Sequence, residues 1–365
     1  MVGLLEEGTG DLDARGFATA RDELAASFYY SAYDDAISVS ARFLTETQDA
    51  AMALLKGSLV APSFTDVALN RVRAQVLAGL KSDSKDPDSI VSQRFDALAF
   101  GDHPYGSRAE GTIDSVSALT QDQIRAAHLG TLVRDRVYAS AVGDITAEQL
   151  TTLLDSLLSD LPQSGRPMPS KVAYKLDGGT TVVDFDTPQS VAIFAQRGIE
   201  RDHPDFFAAY LVNQILGGGS FESRLMEEVR EKRGLTYGVS SYLLPKDFSH
   251  LYIGRVASAN DRIAEAVAVI RAEWTRMADR GVTQDELRRA KTYLTGSYPL
   301  RFDGNGPIAN ILVGMQMQGL PVAYINNRND KINAVTLQDA NRVARELLDP
   351  AGLHFVVVGR PEGLE

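Results

Sequence analysis

The sequence repeats itself at two places, and this internal repeat constrains the fold more than any other feature. Residues 119–143 open with Leu-Thr-Gln-Asp, continue as a helix-like stretch and end in an apolar segment, 137–142, followed by glycine. Residues 335–359 open with Val-Thr-Leu-Gln and end in the same way, with 23 residues from threonine to glycine in both copies. A second pair, 64–71 and 282–289, recurs at nearly the same offset. We therefore predict two similar halves.

Each predicted half mixes antiparallel strands with several helices, which is an α+β layout. The halves are residues 1–165 and 180–365, and a linker, 166–179, joins them after a stretch that contains proline and serine. We expect each half to be an antiparallel sheet packed against several helices. Alternation and β-branched runs predict strands at 35–44, 137–142, 180–186, 190–196, 237–244 and 251–256.

The first half is predicted to be truncated at its N-terminus. The second half begins with two strand-like stretches before its first long helix, whereas the first half reaches a helix soon after Met1. The symmetry therefore predicts that the counterpart strands belong upstream of Met1.

Several helix starts are marked by the spacing of a capping box, in which a hydroxyl and a side chain three residues later each bind an amide of the first turn. Thr146 with Gln149 and Thr283 with Glu286 have this spacing. The residues at 202–204, Asp-His-Pro, predict the start of another helix that runs to about residue 216.

Composition excludes several classes of function. The formal net charge is −11, and the basic residues are interspersed with acidic ones, so the basic surface that nucleic acids require is missing. The chain has no cysteine, which excludes disulfides, thiol catalysis and cysteine metal sites. No apolar run approaches the roughly 20 residues of a membrane helix, and residues 1–10 do not resemble a signal peptide.

The common catalytic motifs are also missing. A serine nucleophile elbow, a phosphate-binding loop and a dinucleotide-binding glycine motif do not occur, and no histidine has another histidine three or four residues away. A zinc site on a helix needs such a pair on one face. We therefore assign structural roles to all five histidines: His103 in a loop, His203 at a helix entry, His354 in a strand, and His128 and His250.

Residues 217–238 form the most informative segment. Three glycines, 217–219, break one helix, Ser220 can cap the next helix, and Gly234 can end it. Arg230 and Tyr237 lie seven residues apart within this segment. On structural grounds alone, Arg230 would complement the helix dipole and Tyr237 would be a half-buried strand aromatic.

The runs Ser-Arg-Leu at 223–225 and Val-Arg-Glu-Lys-Arg-Gly-Leu-Thr-Tyr at 229–237 resemble the hallmark of the pitrilysin, insulinase and mitochondrial-processing-peptidase family of inverted zinc peptidases. Shorter similarities extend over essentially the whole chain, at Gly8-Thr9 and at 103–106, 142–144, 297–300 and 358–359. The resemblance implies the two-half, metallohydrolase-like fold of that family.

The resemblance also implies that this chain binds no metal. The family's catalytic half carries His-x-x-Glu-His shortly before a Gly-Thr pair, and Gly8-Thr9 sets that register. The motif's glutamate and second histidine then fall on Val2 and Gly3, and the stretch 67–81, where the distal ligand should lie, contains no carboxylate. We therefore expect no cofactor in this chain, no cleavage by this chain alone, and zinc in a catalytic partner.

By the same resemblance, Arg230 and Tyr237 match the arginine and tyrosine that the family's non-catalytic half contributes to the zinc site of its partner. The expected partners are a homologous zinc-bearing peptidase subunit and an extended peptide substrate, without nucleic acid or a membrane span. Two alternatives stay open: a structural or assembly homologue without a role in proteolysis, and a chain that is itself a zinc peptidase. The resemblance favours a periplasmic location, with a cytoplasmic one as the alternative.

Overall fold

We describe the protein from a computed structural model, which covers residues 1–218 and 222–364. The chain divides into two compact units. Unit 1 consists of Met1–Ser82, Arg108–Met168 and Gly304–Met317, and unit 2 consists of Asp83–Ser107, Pro169–Asp303 and Gln318–Glu365. Residues 83–107 and 304–317 thus belong to the unit formed mainly by the other predicted half. The two-half organisation with its linker stays a prediction, although residues 166–178 form neither helix nor strand.

The described residues contain helices throughout both units. The α-helices are α1 (Ala14–Glu23), α2 (Gln48–Val60), α3 (Asp66–Asp83), α4 (Pro87–Phe100), α5 (Ile113–Ala118), α6 (Gln121–Thr131), α7 (Ala147–Leu158), α8 (Phe206–Gly217), α9 (Ile263–Arg280), α10 (Gln284–Gly296), α11 (Asn305–Met317), α12 (Tyr324–Ala334) and α13 (Leu337–Leu347), and a π-helix spans Met226–Glu231.

The strands are shorter and concentrate in unit 2. They are β1 (Gly8–Thr9), β2 (Leu12–Asp13), β3 (Ser27–Ala32), β4 (Ile37–Arg42), β5 (Gly179–Asp184), β6 (Gln189–Arg197), β7 (Val239–Pro245), β8 (His250–Ala259) and β9 (His354–Gly359). The α+β class predicted from the sequence is confirmed.

Unit 2 is built on a five-stranded sheet with the order β5-β9-β6-β8-β7. Strand β6 lies antiparallel between β8 and β9, whereas β5 runs parallel to β9, so the sheet is mixed rather than purely antiparallel. Seven consecutive residues of β6 are buried, as expected for a strand covered on both faces. This order places β7, the strand after the Arg230–Tyr237 segment, at one edge of the sheet.

Two apolar layers enclose this sheet. One core cluster joins residues of β6, β8 and β9 to α8, α9, α10 and α13, with Trp274 fully buried in it. A second cluster joins the opposite side chains of the same strands to α4, through Val91 and Phe95. Because α4 buries its apolar side on this sheet, residues 83–107 belong to unit 2.

Unit 1 packs its helices around a separate core, which includes Leu5, Phe17, Phe28, Leu55 and Phe64. Its strands form only two-stranded antiparallel sheets, β1 with β2 and β3 with β4. The phenylalanine in β3 faces this core, whereas Tyr29, on the opposite face of the hairpin, is exposed. Each of these sheets is therefore supported by helices rather than by further strands.

The predicted strand 137–142 is wrong. These residues belong to no sheet in the described chain, whereas the equivalent segment of the repeat, β9, is buried and pairs on both sides. Instead, the segment bonds to α11: Ser140 Oγ donates to the Ala309 carbonyl at 2.8 Å, and Gln316 Nε2 donates to the Ala139 carbonyl at 2.8 Å. A strand needs neighbours, so an apolar β-branched sequence alone did not decide its state.

The predicted helix starts are confirmed. Both capping boxes form: Thr146 accepts from the Gln149 amide and Thr283 from the Glu286 amide, and each later side chain bonds back to the first residue of its box. Helix α8 also begins where the sequence around His203 predicts. These bonds span three residues, which is why the local sequence was sufficient.

Candidate functional site

The segment that carries Arg230 begins beyond the predicted glycine break. Gly217 ends α8, whereas Gly219 and the predicted cap Ser220 lie outside the described residues. The chain is helical again from Arg224, and its last turns widen into the π-helix Met226–Glu231. Such turns often occur at functional positions.

The end of this helix is a tight turn. The Gly234 amide donates to the Arg230 carbonyl at 2.7 Å, and the Leu235 amide donates to the Val229 carbonyl at 3.0 Å. Gly234 has a φ of +60°, the left-handed conformation that glycine adopts without strain. The predicted role of Gly234 as a helix stop is therefore confirmed, and this turn sets the path from Arg230 to Tyr237.

Arg230 lies in the last turn of the helix with 32% of its side chain exposed. Its Nη1 donates to Glu231 Oε1 at 2.9 Å. An arginine near a helix C-terminus is favoured by the helix dipole, and an exposed ion pair of this kind holds it only weakly. The guanidinium carries several donors, which are of the kind that can bind a peptide carbonyl.

Tyr237 is 91% exposed and lies two residues before β7. The prediction of a half-buried strand aromatic, in a strand starting at 237, is therefore wrong. The neighbouring Thr236 explains the difference: its Oγ1 donates to the Ala257 carbonyl at 2.6 Å and accepts from the Gly238 amide at 3.1 Å. These bonds delay the strand, and the phenol is left projecting into solvent.

A buried carboxylate, that of Glu228, stabilises the helix that carries Arg230. Glu228 accepts from Lys232 Nζ at 2.7 Å and from Arg233 Nη1 at 2.7 Å, and Arg276 lies 3.7 Å away. The bonds from Lys232 and Arg233 lower the pKa of Glu228 to about 2, against the effect of burial. The carboxylate is thus charged at neutral pH and holds the basic side chains of Lys232 and Arg233.

A second ion pair fixes the beginning of the same helix. Arg224 donates to both carboxylate oxygens of Glu286, at 2.7 and 2.8 Å, and also to the Gly281 carbonyl at 2.9 Å. Burial alone would raise the pKa of Glu286, but the bonds from Arg224 and Thr283 lower it to about 2. This pair ties the Arg230 helix to the start of α10.

The positions where the family's zinc ligands would fall lie in unit 1 and do not fit zinc. Val2 and Gly3 carry no ligand atoms, and a Cβ built on Gly3 would lie 3.5 Å from Val72 of α3. Val2 and Val72 both pack against the unit 1 core, and Glu7 pairs with Arg71 between the same two segments. Zinc requires imidazole, thiolate or carboxylate ligands, and Val2, Gly3 and Val72 offer none of these.

The histidines have the structural surroundings predicted for them. His103 Nδ1 accepts from the Tyr105 amide, His203 Nδ1 accepts from the Asp205 amide, and His354 lies in β9. Within residues 1–218 and 222–364, no group of three or more histidine, aspartate or glutamate side chains is placed to hold a metal ion.

We expect the purified chain to bind zinc only substoichiometrically, because Val2, Gly3 and Val72 supply no ligands. The measurement is metal content by plasma mass spectrometry after dialysis against excess zinc and then against buffer. A homologue with an intact zinc motif, treated in parallel, is the control. One zinc per chain that survives dialysis would show that an unidentified set of ligands exists.

Three contributors to this site were not identified from the sequence. They are Glu228, Thr236 and Arg262, whose guanidinium donates to the carbonyls of Arg233 and Gly234. The i, i+4 spacing of Glu228 and Lys232 was a usable signal. No pattern in the sequence pointed to Arg262, because it is 28 and 29 residues away from the residues whose carbonyls it binds.

Comparison of the sequence with known proteins shows which family the chain resembles. The family model described as "Peptidase M16 inactive domain" matches residues 118–294. The chain is 27% identical to the "Non-peptidase homolog YmxG" of Helicobacter pylori over 356 residues, covering 97% of this chain and 82% of the relative. It is 30% identical to an uncharacterised zinc protease of Mycobacterium bovis over 281 residues, covering 76% of this chain and 64% of the relative. The chain thus spans less than two thirds of that mycobacterial protein.

A solved structure agrees with both sequence matches. The crystal structure of a peptidase M16 inactive domain from Pseudomonas fluorescens superimposes with a TM-score of 0.90 and 28% identity, covering 100% of this chain and 88% of that one. The fold is therefore that of a peptidase-like domain, and the domains that it resembles are described as inactive. These matches confirm the resemblance to the M16 peptidase family that residues 223–237 identified.

In the described part of the chain, no helix is both long enough and apolar enough to span a membrane. The periplasmic location stays a prediction.

Proposed function

We propose that this chain is the non-catalytic, substrate-binding partner of a zinc endopeptidase, and that Arg230 and Tyr237 act in the active site of a homologous zinc-bearing subunit. The exposure of Tyr237 is the observation that carries the proposal. A phenol that is 91% exposed, on a turn anchored by backbone and side-chain bonds, stabilises little within its own chain. A role toward another molecule explains why it is presented in this way.

The two side chains supply complementary chemistry. The Arg230 guanidinium can donate to a backbone carbonyl of an extended peptide and hold it in place. The Tyr237 hydroxyl can donate to the oxygen that gains negative charge when the peptide carbonyl is attacked. The partner's metal would supply the activated water. This chain's contribution would therefore be to orient the substrate and to stabilise charge.

The names of the relatives support the non-catalytic part of the proposal. One is called a non-peptidase homologue, a solved neighbour is called an inactive domain, and others are called zinc proteases. Such a set is expected if the family contains both halves of a divided enzyme, one with ligands and one without. The zinc-bearing partner and its peptide substrate are our proposal for this chain.

The proposal is tested by measuring peptide hydrolysis by this chain alone and after it is mixed with a zinc-bearing homologue. The pure chain should hydrolyse no peptide, and adding a zinc-bearing homologue from the same genome should produce or strongly increase hydrolysis of unstructured peptides. Arg230→Ala in this chain should reduce the gain, whereas Arg345→Ala on α13 should leave it unchanged. Hydrolysis by the pure chain would favour the reading as a complete zinc peptidase. No gain with a homologue that forms a complex would favour the structural or assembly role.

A further inference from the structure

The turn between Arg230 and Tyr237 is held by a relay of charged bonds, formed by Glu228, Arg233 and Arg262, which we call the brace. Arg233 Nη1 donates to the Glu228 carboxylate at 2.7 Å and to the Glu228 carbonyl at 2.6 Å. Arg262 then donates to the Arg233 carbonyl at 2.9 Å and to the Gly234 carbonyl at 3.2 Å. The relay runs from the helix that carries Arg230 to the start of α9.

The position of Arg262 makes this contact specific. Arg233 and Gly234 lie in the turn that follows the end of the helix at Glu231. The planar guanidinium of Arg262 spans the two consecutive carbonyls of these residues, which a single ammonium donor cannot do in the same geometry. The residue itself is exposed at the N-terminus of α9. Its contacts therefore fix the turn and add nothing to the apolar core.

The C-terminal side of the turn, at Thr236, is anchored to the end of β8, close to Arg262 in the sequence. Thr236 Oγ1 donates to the Ala257 carbonyl in β8, and Arg262 follows the end of β8 by three residues. Both anchors of the turn thus come from one strand end and the loop after it. Tyr237 lies between the Thr236 anchor and β7, so its backbone direction depends on these bonds.

We propose that Glu228, Arg233 and Arg262 are positioning residues, which fix the direction of Tyr237 relative to Arg230 before a substrate or partner arrives. The inference rests on the proposed function and extends it, because it states that the trans-acting pair is preorganised in the free chain. Preorganised donors stabilise a developing charge without reorganising during the reaction. The brace is tested in the isolated chain, without any peptidase assay.

The absence of cysteine from the sequence permits a clean measurement. A nitroxide label would be attached in the variant Tyr237→Cys, and the mobility of the label would be compared with and without Arg262→Met. Exchange of the Leu235 amide would be measured in the same backgrounds without the label. We expect a more mobile label and an exchange rate about tenfold higher in Arg262→Met, the factor that about 1.4 kcal/mol of lost bonding produces. Arg262→Lys should give a label mobility and an exchange rate between those of the wild-type protein and Arg262→Met.

Arg360→Met is the matched control. Arg360 is also an exposed arginine with two acceptors, Asp184 and Asp186, but it lies beside β5 and β9, away from the β7 edge of the sheet. Arg360→Met should change neither the mobility of the label nor the exchange rate of the Leu235 amide. An unchanged label and unchanged Leu235 exchange in Arg262→Met would overturn the inference.

Assays of the assembled pair separate this inference from the proposed function. If the brace acts as stated, Arg262→Met lowers kcat and leaves KM nearly unchanged, since charge stabilisation rather than binding is impaired. If Arg262→Met loosens the label but Tyr237→Phe and Arg262→Met both leave turnover intact, the brace stands and the proposed function falls. If Tyr237→Phe impairs turnover while Arg262→Met changes neither the label nor kcat, the function stands and the brace falls.

Discussion

Under the proposed function, we expect Tyr237→Phe to lower kcat of the assembled peptidase pair by about a hundredfold, the loss that follows when one donor to a developing oxyanion is removed. KM should change little, because the phenol interacts mainly with charge that exists only in the transition state. Assembly should also be unaffected, since the ring is retained and Tyr237 is 91% exposed in this chain. Steady-state kinetics and a sedimentation assay of the pair measure the two effects.

The control for this result is another tyrosine in the same unit. Tyr242→Phe removes a hydroxyl five residues further along, from an exposed side chain within β7. It should leave kcat within about twofold of the wild-type value, as expected for a surface change away from the site. Equal activity of Tyr237→Phe and Tyr242→Phe would remove Tyr237 from the mechanism. A loss that appears in KM alone would assign it to substrate binding.

We expect Arg224→Met to destabilise the isolated chain by about 3 kcal/mol, the lower end of the cost of leaving a buried carboxylate without its cation, because Glu286 is only partly buried. Arg224 and Glu286 are 11% and 18% exposed, and the guanidinium binds both carboxylate oxygens. Methionine retains much of the volume, so the loss reports the charge and its hydrogen bonds. Denaturant unfolding at pH 7 gives the change in the free energy of unfolding.

The pH dependence of this effect follows from Glu286. Its pKa is about 2 in the folded chain against an ordinary value of 4.5, a difference that corresponds to about 3 kcal/mol. Because the folded pKa is depressed, this stabilisation is complete above pH 4.5 and is lost as the pH falls toward 2. The difference between wild type and Arg224→Met should therefore shrink over that range.

Arg288→Met provides the matched control on the same helix. Arg288 pairs with Asp285 at the surface, where 65% and 59% of the two side chains are exposed. Exposed pairs contribute about 0–1 kcal/mol, so this change should be small at every pH. If Arg224→Met and Arg288→Met cost the same free energy of unfolding, the Arg224–Glu286 pair does not anchor the Arg230 helix.

Local features of the fold were predictable because they depend on neighbouring residues. The capping boxes at Thr146 and Thr283 formed as predicted, and Gly234 ended its helix with a positive φ. The seven-residue spacing of Arg230 and Tyr237 was also visible in the sequence, and so was the absence of ligands at Val2 and Gly3. In each case the relevant bonds or residue types lie within a few positions of one another.

The features that were missed depend on partners elsewhere in the chain. Residues 137–142 have a strand-like sequence, but no described strand pairs with them. Tyr237 was predicted to be half-buried in a strand, and bonds from Thr236 to the β8 region delay that strand. Helix α4 packs on the sheet of unit 2, although it lies in the first predicted half of the chain. Sheet pairing and burial are decided by these long-range contacts.

The sequence by itself determined the absence of cysteine chemistry, the acidic charge, the absence of ligand atoms at Val2 and Gly3, and the spacing of the Arg230–Tyr237 pair. Only the tertiary structure decided that Tyr237 is exposed and that Arg262 and the Arg224–Glu286 pair hold the surrounding turn and helix. Residue identity and spacing are properties of the chain, whereas a bond across 62 positions exists only after packing has brought its two ends together.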